Sequence, residues 1–372
     1  QEGTIAFLQM VKISAAVTAL KDAGLPYLVY LRHPTTGGVF ASWASLGHLT
    51  LAEPGALIGF LGPRVYEALE GRPFPTGVQT AENLHAAGLV DAVVAPGDLA
   101  AYLDGVLTAL TPVPGTHERR DTAADVPRLE TPDAWEPDAW ESVLRTREPG
   151  RCGAVELIRA AATDMVPLRH RGGLLLALAR ADGRPCVVAG QDRTAPFLTA
   201  AALRQARRGM WLAEQLRVPF VTVIDTPGAE LSPEAEEAGI ASEIAQCIAT
   251  LISLRVPTVA VLLGQGTGGG ALALLPADRV IAAEHAWLAP LAPEGASAIV
   301  YKDTAHAPEL AARQRISAPD LAADGIVDRV VAETAGFPQN LASALHAELA
   351  ALARDSADAR LTARLRRYRD LG

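Results

Sequence analysis

Apolar and polar positions alternate along most of the chain between two kinds of segment. Short β-branched and aliphatic runs of strand length stand at 25–31, 49–53, 56–60, 90–94, 173–181, 184–190, 219–225, 256–263, 280–283, 286–288 and 327–331. Between them lie segments with helical spacing, the clearest at 4–20, 96–110, 154–163, 200–216, 236–254 and 342–369. In the first, Ile5, Leu8, Val11 or Lys12, Ala15 and Ala19 share a face and are expected to pack inward. Shorter helices are predicted at 41–46, at 63–70 with Pro63 leading, and at 82–88 with Gly88 ending it. The runs 173–181 and 184–190 read as a hairpin around Asp182-Gly183. Strands alternating with helices predict an α/β fold.

One stretch breaks its own pattern. Residues 256–277 begin as a buried strand, pass through Gly264, Gly266, Gly268, Gly269 and Gly270, and resume as helix up to Pro276. Glycines allow positive φ and close approach of a ligand to the backbone. The first N–H groups of the next helix have no partner within it. Such a turn either holds an oxyanion or phosphate, or is a tight turn without a ligand. The GxGxxG spacing fits a dinucleotide site poorly, because Glu284 is the nearest acidic candidate for the ribose.

A second copy of the pattern changes the picture. A strand at 25–31 leads into HPTTGGVF, with Gly37-Gly38 standing where Gly269-Gly270 stands. Gly88-Leu89-Val90-Asp91 likewise parallels Gly325-Ile326-Val327-Asp328, so the chain holds an internal repeat about 230–237 positions apart. That period is domain-sized. Two equivalent glycine turns suggest a site with two similar tasks. The strands that should precede the first helix are absent, whereas 183–190 and 219–225 supply them in the second half. The first domain is therefore expected to be truncated at its N-terminus.

Composition narrows the class. The chain has 372 residues, 49% hydrophobic, and a formal charge of −9 without a basic run, which argues against nucleic acid as a partner. Cys152, Cys186 and Cys247 are too widely spaced for a metal pattern and fit a reducing compartment; with no signal peptide, a cytoplasmic location is expected. The uncharged run 256–277 is too rich in glycine for a membrane span, and no membrane partner is expected.

The Pro- and acid-rich stretch 111–137 reads as a linker, and the tryptophans of its two DAW repeats, Trp135 and Trp140, are expected to pack back onto a domain. Arg204, Arg207 and Arg208 on the helix 200–216 form the most basic local patch, either contacts for coenzyme phosphates or a solvated face. Ser42 and His48 lack a third residue to orient them, and Ser42 reads as a helix-start hydroxyl.

Several motifs carry a family resemblance. HPTTGGVFASWASLGHLTLAEPGALIGFLGPRVYEA resembles the β half of the carboxyltransferase of acetyl-CoA carboxylase; IDTPGAE, GQGTGGGALAL, APEGASAIVYKD and ISAPDL resemble its α half. The match covers residues 1–104 and 151–335. Two substitutions depart from it: Gly268 where the α pattern usually has Ser, and Thr267 where it has Gly. The resemblance implies two tandem crotonase-like domains, each a ββα superhelix. A β-like domain would span 1–110, a linker 111–150 and an α-like domain 151–372. It implies transfer of a carboxyl group from carboxybiotin, held on a separate carrier protein, to a coenzyme A thioester, with acetyl-CoA to malonyl-CoA the leading case and fatty acid biosynthesis its setting. Partners would be the biotin carboxyl carrier protein and biotin carboxylase, within a homo-oligomer. The β half often follows a four-cysteine zinc ribbon, but zinc is not supported by the three cysteines here.

The chemistry agrees with the resemblance. An enolate on the thioester and negative charge on the ureido oxygen of biotin each require fixed N–H donors. Gly37 and Gly38 are expected to serve the thioester, Gly269 and Gly270 the ureido oxygen, with Arg204, Arg207 and Arg208 as coenzyme contacts. The alternatives are a crotonase-fold acyl-CoA or malonate decarboxylase-type enzyme, and a non-catalytic scaffold in a carboxylase complex.

Overall fold

A computed structural model of the protein describes residues 4–61, 63–113, 138–195 and 197–371. They fall into two compact units, Gln1–Leu107 with Gln215–Arg217, and Thr108–Glu214 with Val218–Gly372.

The first unit holds strands β1 (Leu28–Leu31), β2 (Thr35–Thr36), β3 (Leu49–Ala52), β4 (Ile58–Gly59) and β5 (Ala92–Val93). β1, β3 and β5 form a parallel sheet in that order, and β2 pairs with β4. All four residues of β3 are buried, as suits a parallel strand covered on both faces. Val29, Leu31, Ala52, Ile58, Leu84 and Val90 make the core. The helix Ala81–Ala87 starts where the Thr80 side chain accepts from Asn83 N–H, and ends at Gly88 in the left-handed region, φ 86°.

Two expectations fail in this unit. The helix Thr4–Asp22 forms, but Val11, Lys12, Ala15 and Ala19 are exposed; the inward row is Met10, Ser14, Val17 and Lys21. On that row Val17 is buried and Lys21 donates from Nζ to Leu46 O at 2.8 Å. The helix expected at 41–46 shrinks to a single 3₁₀ turn, Trp43–Ser45. Ser42 Oγ donates to Gly38 O and Ser45 Oγ to Phe40 O, both at 2.5 Å, so serine hydroxyls take carbonyls that backbone N–H groups would otherwise use.

The second unit holds β6 (Ala162–Arg171), β7 (Leu174–Ala181), β8 (Arg184–Gln191), β9 (Phe220–Thr226), β10 (Thr258–Thr267), β11 (Arg279–Ala283), β12 (Trp287–Ala289) and β13 (Arg329–Val331). The order is β13-β11-β10-β9-β8-β7-β6, with β12 paired to β10. β6, β7 and β8 are antiparallel, and the rest is parallel. The β7–β8 hairpin turns where expected, with Asp182 at φ 48° and Gly183 at φ 74°, the two positive angles its twist requires. β6 had no counterpart in the sequence reading. It is an edge strand, where a proline such as Pro167 is tolerated, and its register against β7 shifts between Pro167 and Arg169. The expected terminal helix divides into Phe337–Leu352 and Ala357–Asp370, because the Ser356 side chain accepts from Ala359 N–H and starts the second.

The repeat is realised in the strand pairings. β1, β3 and β5 follow the same parallel order as β10, β11 and β13, and β2–β4 corresponds to the end of β10 with β12. Thr50 N–H donates to Asp91 Oδ2 at 2.8 Å in one copy, and Val280 N–H to Asp328 Oδ2 at 2.7 Å in the other.

Of the expected linker, residues 114–137 lie outside the described residues, Trp135 with them. Beyond them, the helix Ala139–Thr146 docks on the second unit. Trp140 packs partly buried against Ala139, Val143, Trp287 and Ile316, as expected for this tryptophan, and Trp287 Nε1 donates to Thr146 Oγ1 at 2.9 Å.

Candidate active site

The second glycine stretch divides its labour. The strand expected at 256–263 continues through Gly264 and Gly266 to Thr267, and its register against β9 shifts between Leu262 and Gly266. In that gap, side chains replace the ladder. Leu263 O accepts from Arg151 Nη2 at 3.1 Å, and Gln265 N–H donates to Asp225 Oδ1 at 3.0 Å. A Cβ on Gly264 would lie 2.4 Å from Asp225 Oδ1, and one on Gly266 would lie 2.6 Å from Trp287 O. These two glycines serve close approach rather than turning.

The turn itself begins at Gly268, φ 59°, and opens the helix Gly268–Leu272. Thr267 precedes it without a side-chain capping bond, so the first N–H groups have no partner within the helix. A Cβ on Gly270 would meet Ala229 N at 2.9 Å, because the loop after β9 presses on the turn. The buried Gln191 side chain, at the end of β8, reaches both. Its Nε2 donates to Gly270 O and its Oε1 accepts from Asp225 N–H, each at 3.0 Å.

Charge collects beside this turn. Asp225 is 1% exposed. Burial raises its carboxyl above the usual range, opposed by the Gln265 N–H and by Arg193, whose Nε lies 3.7 Å from Oδ2. Arg151 pairs with Glu333, and Arg147 with Glu294, whose carboxyl that hydrogen bond lowers. Arg147, Arg151, Arg193, Asp192 and Thr194 line a cavity of about 440 Å³. Next to Trp287, His285 sits between Ser142 Oγ and Arg145 Nη1, each 3.2 Å away, and burial holds its imidazole below its ordinary value.

The first turn is built differently. Gly37 has φ 71°, with nothing within 4 Å of a would-be Cβ, and its N–H already donates to Phe60 O at 2.9 Å. Gly38 is covered by the tip of Met10, whose Sδ would lie 2.3 Å from a Cβ. No α-helix opens directly from this turn: 3₁₀ geometry takes over at Trp43.

The three arginines lie on the helix Ala200–Leu216 of the second unit. Arg204 Nη1 reaches Ala238 O at 3.2 Å and Glu243 at 3.4 Å; Arg207 pairs with Glu243 at 3.0 Å. Arg208 lies half-buried on the same helix. Gln191, Asp225, Arg193 and Arg151 were missed as site residues. The signal for the first three was the position of Gln191-Asp192-Arg193 and of IDTPGAE at the ends of predicted strands; Arg151 had none. Among the described residues, no group of three or more His, Cys, Asp or Glu could hold a metal ion, and no helix is long and apolar enough to cross a membrane.

A twice-used parallel strand–glycine unit, with N–H groups presented at the carboxyl end of β10, defines the class of fold: α/β, as in the crotonase-like carboxyltransferases. Solved structures carry the same fold. Transcarboxylase 12S matches 95% of this chain and 70% of its own with a TM-score of 0.75 at 20% identity. A single-chain, multi-domain long-chain acyl-CoA carboxylase matches 90% of this chain and 33% of its own, TM-score 0.68, at 21% identity.

The acetyl co-enzyme A carboxylase carboxyltransferase-like family model matches residues 136–372. The probable biotin-dependent acyl-coenzyme A carboxylase beta3 subunit of Mycobacterium tuberculosis is 55% identical over 100% of this chain and 77% of its own length. The acetyl-coenzyme A carboxylase carboxyl transferase subunits beta/alpha of Salinispora arenicola are 39% identical over 90% of this chain and 63% of theirs. The chain belongs to the acetyl co-enzyme A carboxylase carboxyltransferase-like family and is an enzyme of it.

Proposed function

We propose that this chain transfers a carboxyl group from carboxybiotin on a separate carrier protein to an acyl-CoA, with acetyl-CoA the substrate to test first. The observation that carries this reading is the duplicated glycine unit, seen both in sequence and in the matching orders β1-β3-β5 and β10-β11-β13. The names of the relatives support it.

Biotin, when bound, supplies the carboxyl group and a ureido oxygen that gains negative charge. The chain's part is to hold charge at fixed places. At the second turn the N–H groups of Gly269 and Gly270 face no intrahelical acceptor and suit the ureido oxygen. At the first turn Gly38 is assigned to the thioester oxygen, while Gly37 shapes the turn, since its own N–H is spent on Phe60 O. Arg204 and Arg207 keep a supporting place at most in coenzyme binding, because both are committed to Glu243. Biotin carboxylase, a biotin carboxyl carrier protein and further copies of this chain are the partners this reading requires.

The test is turnover of biotin-dependent carboxylation with purified chain and carboxylated carrier, offered acetyl-CoA and longer acyl-CoAs. Carboxylated product with any of them supports the reading, and the best substrate names the specificity. Carrier binding without product, at saturating acyl-CoA, would leave the scaffold reading in its place.

A further inference from the structure

Gln191 stands at a junction that the glycine motif does not reveal. It is 1% exposed, and both ends of its amide are used: Oε1 on Asp225 N–H, Nε2 on Gly270 O. It thereby ties the ends of two parallel strands to the short helix that carries the turn. The Gly270 carbonyl needs this partner. In a longer helix the N–H four residues on would serve it, but Leu274 N–H donates to Ala271 O instead. Without Gln191 a buried carbonyl is left unpaired, and the turn loses a hydrogen bond from its own middle residue.

The other restraints on the turn do not duplicate this one. A Cβ on Gly270 would meet Ala229 N at 2.9 Å and one on Gly269 would meet Ile244 Cδ1 at 2.8 Å, so there is no room to move in those directions. Contact of that kind resists approach, not withdrawal. The hydrogen bond from Gln191 resists withdrawal. Asp225 belongs to the same brace, since it gives its N–H to Gln191 and takes the N–H of Gln265 from the register shift of β10.

We infer that Gln191, seated on Asp225, is a positioning residue that fixes the second glycine turn in the geometry needed to hold a developing oxyanion. The inference rests on the carboxyltransferase reading for the identity of that oxyanion, and on geometry alone for the brace. Oxyanion stabilisation falls steeply when a donor is displaced from its place, so a turn free to withdraw binds substrate but turns it over slowly.

The test uses the full chain with Gln191→Met and Gln191→Glu. Methionine fills the space and makes neither hydrogen bond. It should lower kcat for carboxyl transfer about tenfold or more, with KM for acyl-CoA within about twofold. Amide hydrogen exchange of the peptide covering 268–275, measured without substrate, should quicken. Glutamate supplies an internal control. As a carboxylate it turns an oxygen toward Gly270 O; as a carboxylic acid its O–H donates there and its C=O still accepts from Asp225 N–H. Its activity relative to the parent should therefore rise, and its exchange slow, as pH falls, with the parent profile absorbing titration of the neighbouring Asp225 and the charges of Arg193 and Arg151. Because this control follows the glutamate variant against the parent at each pH, a poorly folding methionine variant does not blunt the test. Parent-like kcat and exchange in Gln191→Met overturn the proposal. So does a Gln191→Glu variant whose relative activity and exchange do not change with pH. Quickened exchange in Gln191→Met, beside a parent chain that transfers no carboxyl group, would instead remove the carboxyltransferase reading and leave the brace standing.

Discussion

The two glycine turns share one strand pattern and are held by different means. Under both lies the same scaffold: a parallel strand entering the turn, a neighbour β3 or β11 on one side, and an aspartate, Asp91 or Asp328, pinning the next strand. Above that scaffold they diverge. The second turn is walled by backbone at Ala229 and braced by Gln191. The first is covered by the flexible end of Met10, and its carbonyls are served by serine hydroxyls. A motif of two glycines thus specifies a turn, while the rigidity of that turn comes from residues distant in sequence.

The largest expected effect tests that difference directly. Gly270→Ala places a Cβ 2.9 Å from the Ala229 nitrogen, and backbone must move. Gly38→Ala meets only the tip of Met10, which can swing aside. Carboxyl transfer should fall about a hundredfold or more for Gly270→Ala, the loss expected for one displaced oxyanion donor, but only a few-fold for Gly38→Ala. Circular dichroism of both variants must first match the parent. Equal losses in steady-state assays would mean the two turns are equally rigid.

Chemistry can separate the turns further. Gly38→Pro deletes the first turn's N–H donor outright. Decarboxylation of malonyl-CoA without biotin should drop about a hundredfold in Gly38→Pro and stay near the parent rate in Gly270→Ala. The opposite pattern would keep two oxyanion sites and exchange their assignments.

Much of this was legible in the sequence because it is local or periodic. The strand–helix alternation, the Asp182-Gly183 hairpin, Gly88 as a helix end and the repeat itself all depend on short-range patterns. What was not legible depends on partners far along the chain. Gly264 and Gly266 read as part of a turn, yet they lie in β10 because Asp225 and Trp287 approach there. Arg204 and Arg207 read as available cations until the fold brought Glu243 to them. The first helix turns inward a row that its apolar spacing did not show, with Val17 buried and Lys21 reaching Leu46.

The shared scaffold predicts smaller and more nearly equal effects. Asp91→Ala and Asp328→Ala each strand one buried backbone N–H, that of Thr50 or Val280. Each should lower unfolding stability in urea by about 1–3 kcal/mol. Asp328 also pairs with Arg367. Parent-like stability in either variant would show that its aspartate does not pin the strand.

The smallest effect concerns the positive-φ glycine at the head of each turn. At Gly37, φ is 71° and a Cβ would meet nothing within 4 Å, so alanine there adds conformational strain alone. That strain is about 1–2 kcal/mol for a left-handed L-residue. At Gly268, φ is 59° and a Cβ would also sit 3.2 Å from Pro290 O, a backbone atom that yields little. Gly268→Ala should therefore cost more than Gly37→Ala in the same urea experiment, although the two backbone angles are similar. The excess of Gly268→Ala over Gly37→Ala measures how tightly the second turn is enclosed, separately from any catalytic readout. If the two alanines cost the same, the enclosure at Gly268 yields without resistance, and the contrast in rigidity between the turns must rest on Gln191 and Ala229 alone.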